Sequence, residues 1–268
     1  MVISQRMSNS RAISVIPLTI VMLALLLWVA NREADKLAQE TSTPDFSAIN
    51  DVKTKKRTFF AYLLPLVQQS NKDIRQERAA FLKVSKRLEH KRPLTAKQTE
   101  TIRLLAKKYR VTADEPLSAN AMTLLDRRIE TIPAALALAQ AANESAWGTA
   151  RFAVNGNNYF GLWCWSSNCG LVPNERTEGK THEVSKFNTP VDGVKYYMQT
   201  LNSHPAYKKL RDLRLAARAN NAPITGTLLA GGLLSYSERG EAYIEELRAM
   251  IRVNNLNQFD QANLDPAP

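Results

Sequence analysis

Glu144 is the side chain of this sequence best placed for acid–base chemistry. It closes the stretch PAALALAQAANES, residues 133–145, an Ala- and Leu-rich run opening on a proline suited to a first helical position. Ile132, Leu136, Ala139 and Ala142 fall on one apolar stripe of the expected helix, and Gln140 stands one turn before Glu144. A carboxyl at the C-terminal end of an apolar helix meets the unfavourable pole of the macrodipole and a poorly solvating surround, and both favour its protonated form. Such a group can give its proton to a leaving-group oxygen. A lone helix-end glutamate is ordinarily just solvated, so the residues after it decide the reading.

Those residues are unusual. Trp147-Gly148 follows, then Phe152, then the loop GNNYFGLWCW, residues 156–165. Three of the four tryptophans in the chain, Trp147, Trp163 and Trp165, lie in this region. Aromatic faces suit the C–H faces of sugars, Asn amides suit their hydroxyls, and glycines let backbone approach a ligand. Core packing accounts for part of the aromatics.

The pattern Ala-Gln-x-x-x-Glu-Ser-x-Trp-Gly, Ala139 to Gly148, followed by Asn-x-Phe-Gly, Asn158 to Gly161, resembles the peptidoglycan N-acetylglucosaminidases of glycoside hydrolase family 73, which include the flagellar glucosaminidase domains. The resemblance covers about residues 130–255 and extends to Tyr236 and Tyr243 in SYSERGEAYIEEL. The stretches LLPLVQQSNKDIRQER and HEVSKF are similar to the bacterial Bax subgroup. The resemblance implies a mainly α, lysozyme-like α+β catalytic domain with a small β-hairpin lobe beside a cleft. It implies cleavage of the β-1,4 bond after N-acetylglucosamine, with Glu144 as general acid and Tyr236 orienting the sugar or a water. Gln140, Trp147, Asn158, Tyr159, Phe160, Trp163, Glu183 and Tyr243 are the expected substrate-binding residues. Family members carry a second Glu on the hairpin. Glu178, in a Thr-Glu pair ahead of Gly179-Lys180, is the first candidate for it here, Glu183 the second, and Glu175 also falls in this stretch. The substrate's own 2-acetamido group is the alternative to any second carboxylate.

The N-terminal half positions this region. Residues 12–30 carry no charge over 19 positions, and a helix of that length comes close to spanning a hydrocarbon core of about 30 Å. Arg6 and Arg11 before it favour a cytoplasmic N-terminus. An uncleaved membrane anchor is favoured over a cleaved signal, since no small-x-small site follows. Either way the body is expected outside the cytoplasm, in the bacterial envelope. In an oxidising compartment Cys164 and Cys169 form a small-loop disulfide; a zinc site from these two and His182 is the weaker alternative, for want of a fourth ligand. The sequence holds no nucleophilic-serine motif, phosphate loop or haem signature, and no metal or cofactor is expected.

Residues 31–50 read as a polar linker. Residues 51–110 hold 17 Lys/Arg against 5 Asp/Glu and so carry the whole excess of a chain whose formal net charge is +11. Their apolar positions, Phe59, Phe60, Leu63, Leu64, Phe81, Leu82, Leu88, Ile102, Leu105 and Tyr109, have helical spacing, and Thr95 with Gln98 is a capping-box start. The expectation is a basic helical neck over 51–115, a catalytic domain over 116–258 and a polar tail over 259–268. The charge is either a solvated face or a means of capturing anionic wall or membrane. The expected partners are peptidoglycan glycan strands and, through the N-terminal helix, the membrane, without nucleic acid. A wall amidase, a lytic transglycosylase and a non-catalytic wall binder are the competing readings.

Overall fold

The Asp51 carboxylate accepts the Thr54 N–H at 2.7 Å and opens the longest helix, α1, Val52–Glu89. The structure, a computed structural model, describes residues 43–112, 116–174, 176, 179 and 181–261. The uncharged run 12–30 lies outside these, as do Glu175 and Glu178; among the described residues no helix is long and apolar enough to cross a membrane. The chain continues through α2 (Ala96–Lys108), α3 (Ala119–Arg128), α4 (Ala134–Glu144) and α5 (Arg151–Gly156). Three short strands follow, β1 (Trp163–Cys164), β2 (Gly170–Leu171) and β3 (Glu183–Ser185). Then come α6 (Pro190–Ser203), a single 3-10 turn at Pro205–Tyr207, α7 (Lys208–Ala219), α8 (Gly226–Ala230), α9 (Glu241–Val253) and α10 (Gln258–Gln261). The protein is mainly helical with one small sheet. The capping box of α2 forms, with Thr95 and Gln98 bonded reciprocally.

α4 is the axis of the fold. Its residues from Ala134 to Ala142 are buried on every side, because α1, α8, α9 and α10 all pack against it. The expected single stripe is thus a fully enclosed helix, and its five alanines between 134 and 141 let four neighbours approach closely. Pro133 stands one position outside the helix and offers no side-chain cap. The cap comes from Asp260 instead, whose two carboxylate oxygens accept the N–H groups of Ala135 and Gly226, each at 2.8 Å. A residue expected in a polar tail therefore ties together the starts of α4 and α8.

The basic segment is part of the same core. Phe59, Leu63, Val67, Ile74, Phe81 and Val84 of α1, with Ile102, Leu105 and Tyr109 from α2 and its cap, join one buried cluster with α4, α6 and α9. Asn71 of α1 is buried and pairs with both the N–H and the carbonyl of Ile132, at 3.0 and 2.8 Å, at the entry to α4. Arg78 turns inward and bonds the Asp126 and Ile129 carbonyls, while Lys53, Arg57, Lys72 and Lys83 are exposed, so the segment read as a neck is a wall of the catalytic body. The last residues of the expected linker also join in, since Phe46 is buried edge-on against Phe59.

The expected hairpin is a three-stranded antiparallel sheet with β3 in the centre, in the order β1-β3-β2. Trp163 faces Val184 in register on one side and Leu171 faces it on the other. The Cys164–Cys169 disulfide closes the loop between β1 and β2.

Candidate active site

Glu144 is the last residue of α4, where the helix leaves the core. It opens into a cavity of about 430 Å³ whose other walls include Gly161, Trp163, Trp165, Tyr196, Tyr207 and Tyr236. Burial raises the Glu144 pKa above its ordinary value, against hydrogen bonds from Tyr243 and Asn143 that pull it down. Glu246 nearby adds to the rise and Arg239 opposes it. A larger hollow of about 500 Å³ between α1, α2 and α6 has the wrong chemistry for a site: its Asp73–Lys195 and Glu77–Lys108 pairs neutralise one another.

A buried hydrogen-bond chain fixes the Glu144 carboxyl. The Tyr197 hydroxyl donates to Gln140 Oε1 at 2.6 Å, Gln140 Nε2 donates to the Tyr243 oxygen at 2.9 Å, and the Tyr243 hydroxyl donates to Glu144 Oε1 at 2.8 Å. Tyr197, Gln140 and Tyr243 are at most 1% exposed. Burial, followed by the Glu144 charge, holds the Tyr243 pKa far up, so its proton stays in place for donation. Among the described residues no hydrogen bond reaches Glu144 Oε2. That oxygen faces Gly161, where a Cβ would lie only 3.3 Å away, and Gly161 has a φ of +62° that also disfavours any side chain. The motif glycine thus keeps one carboxyl oxygen accessible.

The other expected residues divide into two groups. Trp163 lines the cavity and tilts against His182 with ring centroids 4.3 Å apart. Tyr236 lines it too, its hydroxyl donating to the Phe160 carbonyl at 2.8 Å, its ring parallel to that of Tyr243. Phe160 is buried and stacks on Tyr197 at 3.9 Å, which supports the relay from behind. Asn158, expected to bind sugar, is buried; its amide donates to the carbonyls of Leu162 and Ser185 and its oxygen accepts the N–H groups of Phe160 and Leu162. It shapes the loop instead. Tyr159 and Trp147, also expected at the substrate, pack with Phe59 of α1. Gly148, beside Trp147, has a φ of +81° and a Cβ there would press to 2.4 Å from the Phe46 ring, which explains the glycine that ends the first motif.

Glu183, expected at the substrate or as a second carboxylate, does not line the cavity. Its side chain is turned into the sheet lobe, where it accepts the N–H groups of Asn168 at 3.1 Å and Gly170 at 2.8 Å and is 7% exposed. Strand alternation over three residues is too short to say which face is wet, and the tight β1–β2 loop supplied two N–H donors needing an acceptor. Glu183→Ala leaves both without one, so it destabilises the protein by about 1–3 kcal/mol in urea unfolding, and amide exchange speeds up at 168 and 170. Glu178, the first candidate for a second carboxylate, and Glu175 lie outside the described residues. The sulfurs of Cys164 and Cys169 and a Glu183 oxygen come within 4.8 Å of one another, but a disulfide holds both sulfurs and neither is a thiolate ligand.

Sequence reading passed over Tyr197, Tyr207, Tyr196 and Arg110, took His204 as a surface or capping residue, and left Trp165 out of the expected binding set; the His204 side chain accepts the Ala206 N–H at the start of the 3-10 turn. Tyr196 and Thr200, one turn apart on α6, face the cavity, while Tyr197 and Leu201 are buried. The paired tyrosines in an amphipathic helix are the only hint. Trp165 is 74% exposed at the rim, on the loop closed by the disulfide.

A half-buried carboxyl facing an open, aromatic-walled cleft suits glycan chemistry, which ordinarily uses a second carboxylate as well. Residues 120–256 match the glucosaminidase family profile described as mannosyl-glycoprotein endo-beta-N-acetylglucosaminidase. The chain belongs to this glucosaminidase family and is a glycoside hydrolase. It is also 29% identical over 217 residues to the Escherichia coli (strain K12) protein called Protein bax, an alignment covering 81% of this chain and 76% of that one. No solved structure matches the chain.

Proposed function

We propose that this hydrolase cuts peptidoglycan glycan strands at the β-1,4 bond after N-acetylglucosamine, with Glu144 as the general acid. The observation that carries the reading is the inequivalence of the two Glu144 oxygens: Oε1 is held by Tyr243, and Oε2 is left beside Gly161 on the cavity side. Glu144 Oε2 protonates the glycosidic oxygen as the bond breaks. Tyr236, fixed through its hydroxyl to the Phe160 carbonyl, walls the sugar site, and Trp163 and Trp165 offer faces for sugar rings. Glu178, in the segment joining β2 and β3, is the proposed second carboxylate, activating a water; the substrate's 2-acetamido group serves in its place if Glu178 proves dispensable. The helical body with a small sheet beside the cleft fits a lysozyme-like arrangement. The uncharged run 12–30, after Arg6 and Arg11, tethers the enzyme to the inner membrane with the catalytic body on the periplasmic side.

The test is incubation of the chain, cysteines oxidised, with purified peptidoglycan and mass spectrometry of the released fragments, with Glu144→Gln in parallel. Reducing N-acetylglucosamine ends absent from the variant support the proposal. Free lactyl-peptides would assign an amidase instead, 1,6-anhydro-muramic ends a lytic transglycosylase, and binding without products a wall-binding protein.

The relay predicts a pH effect of known sign. The Tyr243 hydrogen bond stabilises the Glu144 carboxylate and holds its pKa down, so Tyr243→Phe lets that pKa rise further. The acid works protonated. The alkaline limb of kcat/KM therefore moves to higher pH in Tyr243→Phe, and a limb that stays or moves down refutes the assignment.

A further inference from the structure

Five cationic side chains gather beside the cleft, where the end of α2, the end of α3 and the start of α7 meet. Arg127, Arg128, Lys208 and Arg211 line a hollow of about 190 Å³ with Leu124 and Pro205. Arg110 lines the active-site cavity itself, together with His204 and Glu144. The two spaces share their framework. Arg128 Nη1 donates to the carbonyls of Tyr109 and Arg110 at 2.8 and 2.7 Å, and Arg211 Nη1 donates to those of Leu201 and His204, both at 2.9 Å.

Among the described residues negative charge is scarce there. Among the described residues the carboxylate paired with side chains of the hollow is Asp212, which Arg127 and Lys208 share. Arg110, Arg128 and Arg211 have no carboxylate partner among the described residues, and each guanidinium keeps donors beyond those used on carbonyls. The mutual repulsion registers on the groups themselves. Burial lowers Arg211 to about 10, with Arg128 and Arg127 lowering it too, and His204 is lowered by burial, then by Arg110 and Arg211. Arg110 stands just past the end of α2 with a φ of 55° and is exposed at the rim.

We propose that this cluster is an anion subsite continuous with the catalytic cleft, taking a carboxylate of the peptide arm borne by the glycan strand; it rests on the reading of Glu144 as a peptidoglycan hydrolase acid. Guanidinium groups pair with carboxylates through parallel N–H donors, and the arm hangs from a sugar next to the bond being cut. The enzyme therefore prefers peptide-bearing strands over bare ones.

The binding test uses the full chain carrying Glu144→Gln and soluble glycan fragments of one length in three forms: peptide arms intact, arms removed, and arms with amidated carboxylates. The intact form binds about tenfold tighter than either other form at low salt, and the ratio shrinks as ionic strength rises. Adding Arg110→Gln or Lys208→Gln, both at exposed positions, brings the ratio toward one. Equal affinity for the three forms overturns the proposal, as does a preference that survives amidation or both added substitutions. Cleavage by the wild-type chain is followed separately. A chain that cleaves nothing yet shows the preference removes the catalytic reading and leaves the subsite; a chain that cleaves all three forms at one rate does the reverse.

Discussion

Glu144→Gln lowers the rate of glycan cleavage by about 10³-fold or more, the loss expected when a positioned general acid is removed, while the fold is kept. Glutamine has the same shape and still accepts the Tyr243 hydroxyl at the Oε1 position, so the relay from Tyr197 through Gln140 survives. The stability effect has a definite sign. Burial raises the folded pKa of Glu144, so the fold binds this proton more tightly than the unfolded chain does. That contribution is complete below the ordinary glutamate range and is lost as pH rises through the raised value. The neutral amide has no such loss. Thermal unfolding at pH 7 therefore finds Glu144→Gln at least as stable as the wild type, with the difference fading toward pH 4. An inactive variant that is also unfolded at pH 7 would remove the distinction between acid and scaffold; an active, folded one would remove Glu144 from the mechanism.

Phe59→Ala has the largest expected effect on stability. Phe59 is fully buried and meets Phe46, Phe60, Trp147 and Tyr159, so it joins the end of the linker, α1 and the loop after α4. Truncation of a buried phenylalanine costs about 3–5 kcal/mol, and in a body of this size that is on the order of 10 °C in Tm. Leu82→Ala, on the same helix but 45% exposed, changes Tm little and serves as the control. A chain begun at residue 116 lacks Phe59, Leu63 and Phe81 altogether and does not fold. If Phe59→Ala unfolds α1 alone and leaves activity untouched, α1 is a separable neck after all.

The contrast between these residues shows what sequence can carry. Apolar spacing placed Phe59, Leu63, Phe81, Ile102 and Tyr109 on an inner face, and they are buried, but it also took in Leu82, which is 45% exposed; periodicity reports which side of a helix is dry. It says nothing of what covers that side, and the run of lysines and arginines suggested a separate element. Gln140 and Glu144 were legible as neighbours one turn apart on one helix. Their link is indirect, however, and passes through Tyr243, 103 residues beyond Gln140, with Tyr197 completing the chain from another helix. Such contacts between distant segments leave no local pattern. Glu183 was misplaced for a different reason: a three-residue strand is governed by its loop's unpaired N–H groups rather than by alternation. The aromatic-rich motif carried two signals at once, since Trp163 belongs to the cleft and Trp147 and Tyr159 to the core, and residue type alone does not separate them.

The one-sided hold on Glu144 has a consequence for the catalytic cycle. After the proposed acid gives up its proton it must recover one before the next cut. From behind, the route is closed: Gln140 already donates to Tyr243, the tyrosines hold their protons too firmly to release them, and the whole relay is shut off from water. On the proposed mechanism, and among the described residues, the replacement proton comes from solvent in the cleft, through the oxygen that the leaving sugar has just vacated. Departure of the cut strand and rearming of the acid are thus one event, and a strand that lingers in the cleft keeps the enzyme discharged.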